Sequence, residues 1–429
     1  MIITFVMDQF GETSNGTACT ALRFAQILKE KGHEVRVLTA SKVDGDGIFT
    51  LPEWKLPVFQ YIIDRNGIKF AEPDEKIITE AIAGSDIVHM LMPFKLQRVT
   101  KEIADKLGVA NMAAFHVQPE NITYNIKLNK LKPLNVFLYK KFKKFFDGFS
   151  HIHCPSEMLR EILNKYKYRS AKHVISNGVI SDFHGNPQAV RPTEWEGKYV
   201  IVMSGRLARE KRQDVLIKAV AKSKYADKIQ LVLCGQGHIR RKLEKLGEKL
   251  LANPLQIKFC SKEELINIFS SADLYVHASE VELEAISCME AFFCGLVPVI
   301  ADAKMSATKQ FALSDRNIFR AGDSSDLAAK IDWFIEHPEE KEKMSAEYLE
   351  YSKQFRIEAC VDKMLEVFQT VIDENERKKQ NIKREEEYVA SLSGKEKKKY
   401  FSEKKKYLAA LDRQGKTDYM ETFIETVEK

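Results

Sequence analysis

No apolar stretch in this chain is long enough to cross a bilayer. The longest, around Ala291 to Ala301, is broken by Gly295 and Pro298, whereas a spanning helix needs about 20 apolar residues. A basic leader is missing too, since MIITFVMDQF opens on a short apolar run that reads as a first strand and not a signal peptide. Paired cysteine spacing is equally absent. The seven cysteines (19, 154, 234, 260, 288, 294 and 360) stand singly, mostly inside apolar patterns, as reduced core residues do, which argues against a disulfide framework or a cysteine metal site. Nothing repeats at a short fixed period, so the chain is not a solenoid. These absences point to a protein that stays in the cytoplasm.

What is present is 429 residues, 44% apolar and 30% charged, more than one hydrophobic core usually serves, so two domains are expected. The first forty residues read strand (IITFVM), loop, helix with apolar positions at Ala21, Phe24, Ile27 and Leu28, then strand (EVRVLT). That unit seeds a doubly wound parallel sheet. Further strands fit residues 86 to 92, 108 to 116, 150 to 156 and 171 to 178. A polar, proline-containing stretch, 181 to 198, reads as a linker, after which strand and helix alternate again through VPVIA. The expected architecture is α/β, with two Rossmann-like doubly wound parallel-sheet domains facing a cleft. Residues 1–180 and 199–350 form the domains, 351–372 a helix returning to the first, and 373–429 a charged helical tail.

Candidate chemistry gathers in the second half. Strand YVIVM runs into Ser204, Gly205 and Arg206, with Lys211 close behind; glycine lets a ligand approach the backbone and two cations suit a diphosphate. A second turn, Cys234-Gly235-Gln236-Gly237, ends the next strand on the same edge. In VELEAISCMEAFFCGLVPVIA, Glu282 and Glu290 stand eight apart, and Glu290 sits in apolar company where an unpartnered carboxylate is costly. If a helix starts after Glu282, the axial offset is at most about 12 Å, close to the span of a nucleotide sugar from ribose to hexose. Amides at that helix start, around Glu284, Ala285 and Ile286, would meet the diphosphate between them.

These motifs, with Ala272-Asp273, Gly295 before Val297-Pro298-Val299, and Ile175-Ser176-Asn177-Gly178-Val179, resemble those of family 4 retaining glycosyltransferases of the GT-B architecture. The resemblance covers roughly residues 1 to 370. It implies a nucleotide-sugar donor bound as substrate, with no cofactor. Arg206 and Lys211 would neutralise the diphosphate, Glu290 would bind the ribose and Glu282 the donor sugar, while Gly16 of Ser14-Asn15-Gly16-Thr17 would lie near the diphosphate. His116, at a strand end, matches a family histidine near the scissile bond; it is carried over as a residue of the catalytic centre and not as the base. The family's Gly-aromatic-Gly run after the first glutamate is replaced here by Leu283, Glu284 and Ala285, which restricts that loop and brings a carboxylate near the phosphate site. Asp44-Gly45-Asp46 mimics a metal-binding acidic triplet but has no nearby third ligand, so a turn is the better reading and metal-independent catalysis is expected.

The segment NIKLNKLKPLNVFLYKKFKKFFDGF holds seven lysines against one acid, an excess equal to the net charge of the whole chain, +6. Leu134, Leu138, Phe142 and Phe145 recur at helical spacing, with Phe137 and Phe146 widening the stripe. Lys140, Lys141, Lys143 and Lys144 with Phe137 make a candidate contact for an anionic membrane surface. The other reading, a stripe packed on the sheet with solvated lysines, holds as well if Phe137 or Tyr139 faces outward. With His116-Val117-Gln118-Pro119-Glu120-Asn121, the segment is similar to bacterial diacylglycerol glucosyltransferases. The reading is a UDP-sugar-dependent hexosyltransferase, peripheral at the inner face of the membrane, glycosylating a lipid such as diacylglycerol. A soluble family 4 enzyme and a nucleotide-sugar epimerase stay open; a nucleic-acid binder ranks last, because the lysines share one helix with apolar aromatics.

Overall fold

The computed structural model describes residues 1–11, 16–55, 60, 69–125, 128 and 131–413, with the side chains of all of these but 16, 17, 125, 132 and 408–413. The first domain runs β1 (Ile2–Val6), α1 (Gly16–Glu30), β2 (Glu34–Thr39), β3 (Ile48–Thr50), α2 (Glu75–Ile82), β4 (Ile87–Met90), α3 (Lys95–Leu107), β5 (Ala110–Ala114), α4 (Pro119–Asn125), α5 (Lys132–Phe146), β6 (His151–Cys154), α6 (Glu157–Lys165) and β7 (Ala171–Val174). Its seven strands form one parallel sheet in the order β3-β2-β1-β4-β5-β6-β7. β4 and β6 are buried on both faces, as strands covered by helices above and below must be.

The second domain follows with β8 (Tyr199–Ser204), α7 (Gln213–Lys222), β9 (Ile229–Cys234), α8 (Arg240–Leu250), β10 (Gln256–Lys258), α9 (Lys262–Ser271), β11 (Leu274–His277), β12 (Val281–Glu282), α10 (Ile286–Phe293), β13 (Pro298–Asp302), β14 (Met305–Ser306), β15 (Ile318–Arg320), α11 (Ser324–Glu336) and α12 (Pro338–Ser352). Six strands make a second parallel sheet, β10-β9-β8-β11-β13-β15, and β12 pairs with β14 in a short ribbon beside it. α13 (Ile357–Ser391) and α14 (Gly394–Arg413) close the described chain.

Two boundaries differ from those read in the sequence. The stretch 181–198 is not a free linker: Phe183 and Trp195 are buried in the second domain's core, where large aromatic area leaves water. The expected division at 372/373 does not exist either, because α13 runs through it unbroken. Its first turns, through Ile357, Cys360, Val361, Met364, Phe368 and Val371, join α1 and the first sheet in one core. Farther on, Glu374 Oε2 lies 2.6 Å from His151 Nε2 and Asn375 Nδ2 donates to Gly108 O at 3.0 Å, so polar residues past the expected boundary still bind the first domain. α14 folds back on α13, where buried Glu385 accepts from Tyr400 Oη at 2.9 Å and pairs with Lys404.

The chain crosses between domains twice, and the crossings lie side by side. Val179 N donates to Phe355 O at 2.8 Å and Ile357 N to Val179 O at 3.0 Å. Gly178 has φ +70, and a Cβ there would stand 2.6 Å from Ile357 Cα, so only glycine fits.

Candidate active site

The second domain contributes the C-terminal ends of β8, β9 and β11. At Gly205 the backbone takes φ +139 with open space where a Cβ would be. Gly205 N donates to Cys234 O and Leu207 N to Gln236 O, each at 2.9 Å, extending the β8–β9 ladder into the loops. The two turns pack so tightly that a Cβ on Gly235 would overlap Gly205 O, and one on Gly237 would overlap Leu207 O. Gly235 and Gly237 are thus required by the packing of turn on turn, while Gly205 presents bare backbone to open space.

The expected cations already hold carboxylates. Arg206 Nη2 bonds Glu210 Oε1 at 2.7 Å, and Lys211 Nζ pairs with Glu282 Oε1, which also lies 3.1 Å from His277 Nε2. Burial alone would raise the Glu282 carboxyl, but the Lys211 ammonium and the His277 ring outweigh it and hold it far below the usual carboxylate range. The helix does not start directly after Glu282, as assumed from the sequence. Glu282 ends β12, and α10 begins at Ile286 after Ala285, which adopts the left-handed region at φ +71.

Glu290 is buried on α10, and its partner is Arg23 of α1, with Nη2 at 3.3 Å across the domain boundary. Burial raises its carboxyl while Arg23 opposes. The sequence reading missed Arg23; an arginine between the apolar positions Ala21 and Phe24 was the available signal. Glu284, placed near the phosphate from the sequence, turns away instead. It is 2% exposed and accepts from Asn177 N at 2.9 Å and Asn177 Nδ2 at 2.7 Å. Burial raises its carboxyl to about 7, with hydrogen bonds from Ser176 and Asn177 pulling the other way.

Across the cleft, His116 follows β5 and is almost wholly buried beside His153 of β6, ring centroids 5.3 Å apart, with His89 of β4 6.0 Å beyond. Burial, then the neighbouring His153, lowers the His116 imidazole to about 3, so at neutral pH it acts as an uncharged hydrogen-bonding group. A cavity of about 20 Å³, large enough for one water, lies between these rings, Phe5 and Phe24. Tyr124 of α4 bonds Glu280, which also pairs with Arg212, and Gln118 Nε2 donates to Met305 O at 3.2 Å. With Arg23–Glu290, these contacts draw the two domains together over the site. Gly16 is the first residue of α1, while Ser14 and Asn15 lie outside the described residues. Chemically, the cleft offers cations for an anionic leaving group, carboxylates for hydroxyls and one neutral imidazole. Asp44 to Asp46 form an exposed turn, and among the described residues no three His, Cys, Asp or Glu side chains gather as for a metal.

α5 turns Tyr139, Phe142, Phe145 and Phe146 inward. Phe137 is 59% exposed, and Lys140, Lys141 and Lys144 share the outer surface with Val136. Lys143 does not join them. It is tied to Asp147 and lies over the Tyr168 ring at 5.9 Å. Lys127 and Lys130 lie outside the described residues. No helix among the described residues is long and apolar enough to cross a membrane.

Two facing parallel-sheet domains with this cleft define a GT-B glycosyltransferase. Residues 14–183 match the family model described as Glycosyltransferase Family 4 and residues 187–350 the one described as Glycosyl transferases group 1, and the chain belongs to that family. It is 24% identical over 321 residues to the alpha-monoglucosyldiacylglycerol synthase of Streptococcus pneumoniae, spanning 70% of this chain and 71% of that protein. A GDP-mannose-dependent alpha-mannosyltransferase of Corynebacterium glutamicum is also 24% identical, over 70% of this chain and 72% of its own. Among solved structures, Anabaena HepE in complex with UDP and glucose superposes with a TM-score of 0.66 at 16% identity, covering 86% of this chain and all of that one.

Proposed function

We propose that this glycosyltransferase moves a hexosyl group, glucose in the first instance, from a UDP-sugar to the hydroxyl of a membrane lipid such as diacylglycerol, with retention at the anomeric carbon and without a metal. The observation that carries the donor half is the cluster of Arg206, Lys211, His277 and Glu282 beside the bare backbone of Gly205. A diphosphate entering there exchanges partners with Glu210 and Glu282, taking the Arg206 and Lys211 cations as leaving-group charge develops. The amides of Ala285 and Ile286 at the start of α10 assist it. Glu282, released from Lys211, accepts from hexose hydroxyls, Glu290 accepts from the ribose, and neutral His116 hydrogen-bonds the donor sugar without taking up a proton. No side chain is assigned as a nucleophile; the acceptor attacks on the face the leaving group departs. Retention is supported by the two relatives' names, both of which specify alpha products, because common hexose donors are alpha-linked.

The lipid half rests on the outer surface of α5, with exposed Phe137, Lys140, Lys141 and Lys144, on the name of the pneumococcal relative, and on exposed Leu128 and Leu131 just before the helix. On this reading the enzyme works at the inner face of the cell membrane. UDP release from UDP-glucose, measured with and without diacylglycerol in anionic vesicles and in the presence of EDTA, tests the whole reading. The expected result is lipid-stimulated release that survives EDTA and is lost in Glu290→Ala. Release stimulated only by water-soluble saccharides would overturn the lipid assignment.

A further inference from the structure

Glu284 is the charged one of the three residues by which this chain departs from the family pattern in the donor loop, and it takes no part in the chemistry described above. It sits two residues after Glu282 and one before the left-handed Ala285 that starts α10, so the loop that orients both donor carboxylates passes through it. Its own carboxylate reaches the other way. Oε2 receives two hydrogen bonds from one residue, Asn177, whose neighbour Gly178 begins the crossing between domains. Glu284 Oε1 and Asn177 Oδ1 are both buried without a hydrogen-bond partner among the described residues, so the contact is held in place against a local polar cost. Ser176, Met289 of α10 and Cys360 of α13 surround it, and Cys360 is the titratable group beside it.

We infer that Glu284 is a positioning residue that ties the interdomain crossing to the donor loop, so that domain closure and the placement of Glu282 and Glu290 are one event. The inference rests on the donor-site reading above. Opening the domains pulls Asn177 from Glu284, frees residues 283–285, and leaves the start of α10 without its anchor. The pair is specific to this chain's loop, because the aromatic residue that the family pattern carries in place of Glu284 has no carboxylate to accept from Asn177.

The test compares the full-length wild type with Glu284→Ala, Glu284→Gln, Asn177→Ala and the double alanine variant, measuring donor KM and kcat for UDP-glucose with lipid vesicles and amide hydrogen exchange of segments 176–180 and 283–290. The expected outcome is a donor KM raised about tenfold in either alanine variant, with no further rise in the double variant, since coupled partners are not additive. Exchange should quicken in both segments together. Glu284→Gln, whose amide oxygen still accepts and whose NH2 can serve the unpartnered Asn177 Oδ1, should keep KM within about twofold. The inference is overturned if the alanine variants retain wild-type KM and exchange, if their effects simply add, or if Glu284→Gln fails as badly as alanine. A wild type inactive with UDP-glucose would instead sink the donor reading, a result visible before any variant is compared. The exchange comparison would still report the anchor.

Discussion

Three carboxylates within nine residues have three different fates, set by partner and not by sequence. Glu282 is ionised by Lys211 and His277, Glu290 is buried against one arginine, and Glu284 is buried against neutral donors. The last carries a pH signature. Below about pH 4.5 both folded and unfolded states hold its proton; as pH rises toward 7 only the folded state does, so stability falls through that window. Glu284→Gln removes the dependence. Urea unfolding should show the variant gaining on the wild type by on the order of 2 kcal/mol more at pH 8 than at pH 5. Glu282 has the opposite sign: its depressed carboxyl stabilises the fold above the unfolded value of about 4.5 and loses that contribution progressively as pH falls from there into strong acid. Ala285 offers a second check. A left-handed alanine costs about 1 kcal/mol that glycine does not, so Ala285→Gly should leave the melting temperature unchanged or raise it, despite glycine's freer unfolded chain. The pair Glu282 and Glu290 was visible as an anomaly of charge in an apolar run. Arg23, 267 positions away from Glu290, was not, because a partner brought by tertiary closure leaves no local pattern.

Elements show the same division. Parallel strands were legible because burial on both faces leaves continuous apolar runs, and α5 was legible by its 3.6-residue period. How α5 is rotated was less so: Leu134 and Leu138 are only half buried, while Tyr139 takes the core position. That rotation separates Lys143 from its neighbours. Vesicle co-sedimentation should show Lys140→Gln, Lys141→Gln and Lys144→Gln together weakening binding to anionic vesicles by roughly 3 kcal/mol, about a hundredfold, at about 1 kcal/mol per lysine. Lys143→Gln should leave vesicle binding unchanged and cost the fold less than about 1 kcal/mol through the loss of Asp147. The two-residue strands β12 and β14 were beyond reading, since no period can be seen in two residues, yet β12 carries Glu282.

On the scale of the whole molecule, the two sheets were readable from the restarting alternation, but the double crossing was not, because Val179 and Arg356 are far apart in the chain. The crossing makes Gly178 a sensitive point. Gly178→Ala meets Ile357 Cα and an unfavourable φ at once, and should destabilise the protein by at least about 2 kcal/mol in urea unfolding.

The return of α13 also sets an order of events during synthesis. Six apolar residues between Ile357 and Val371 complete the core formed by β1, β2, β4, β5 and α1, yet they leave the ribosome after the entire second domain. The first half of the chain therefore emerges with an uncovered apolar face that its own sequence cannot close. It must wait, shielded or partly folded, until the long helix starting at Ile357 arrives, and a chain cut between the second domain and Ile357 would never bury it.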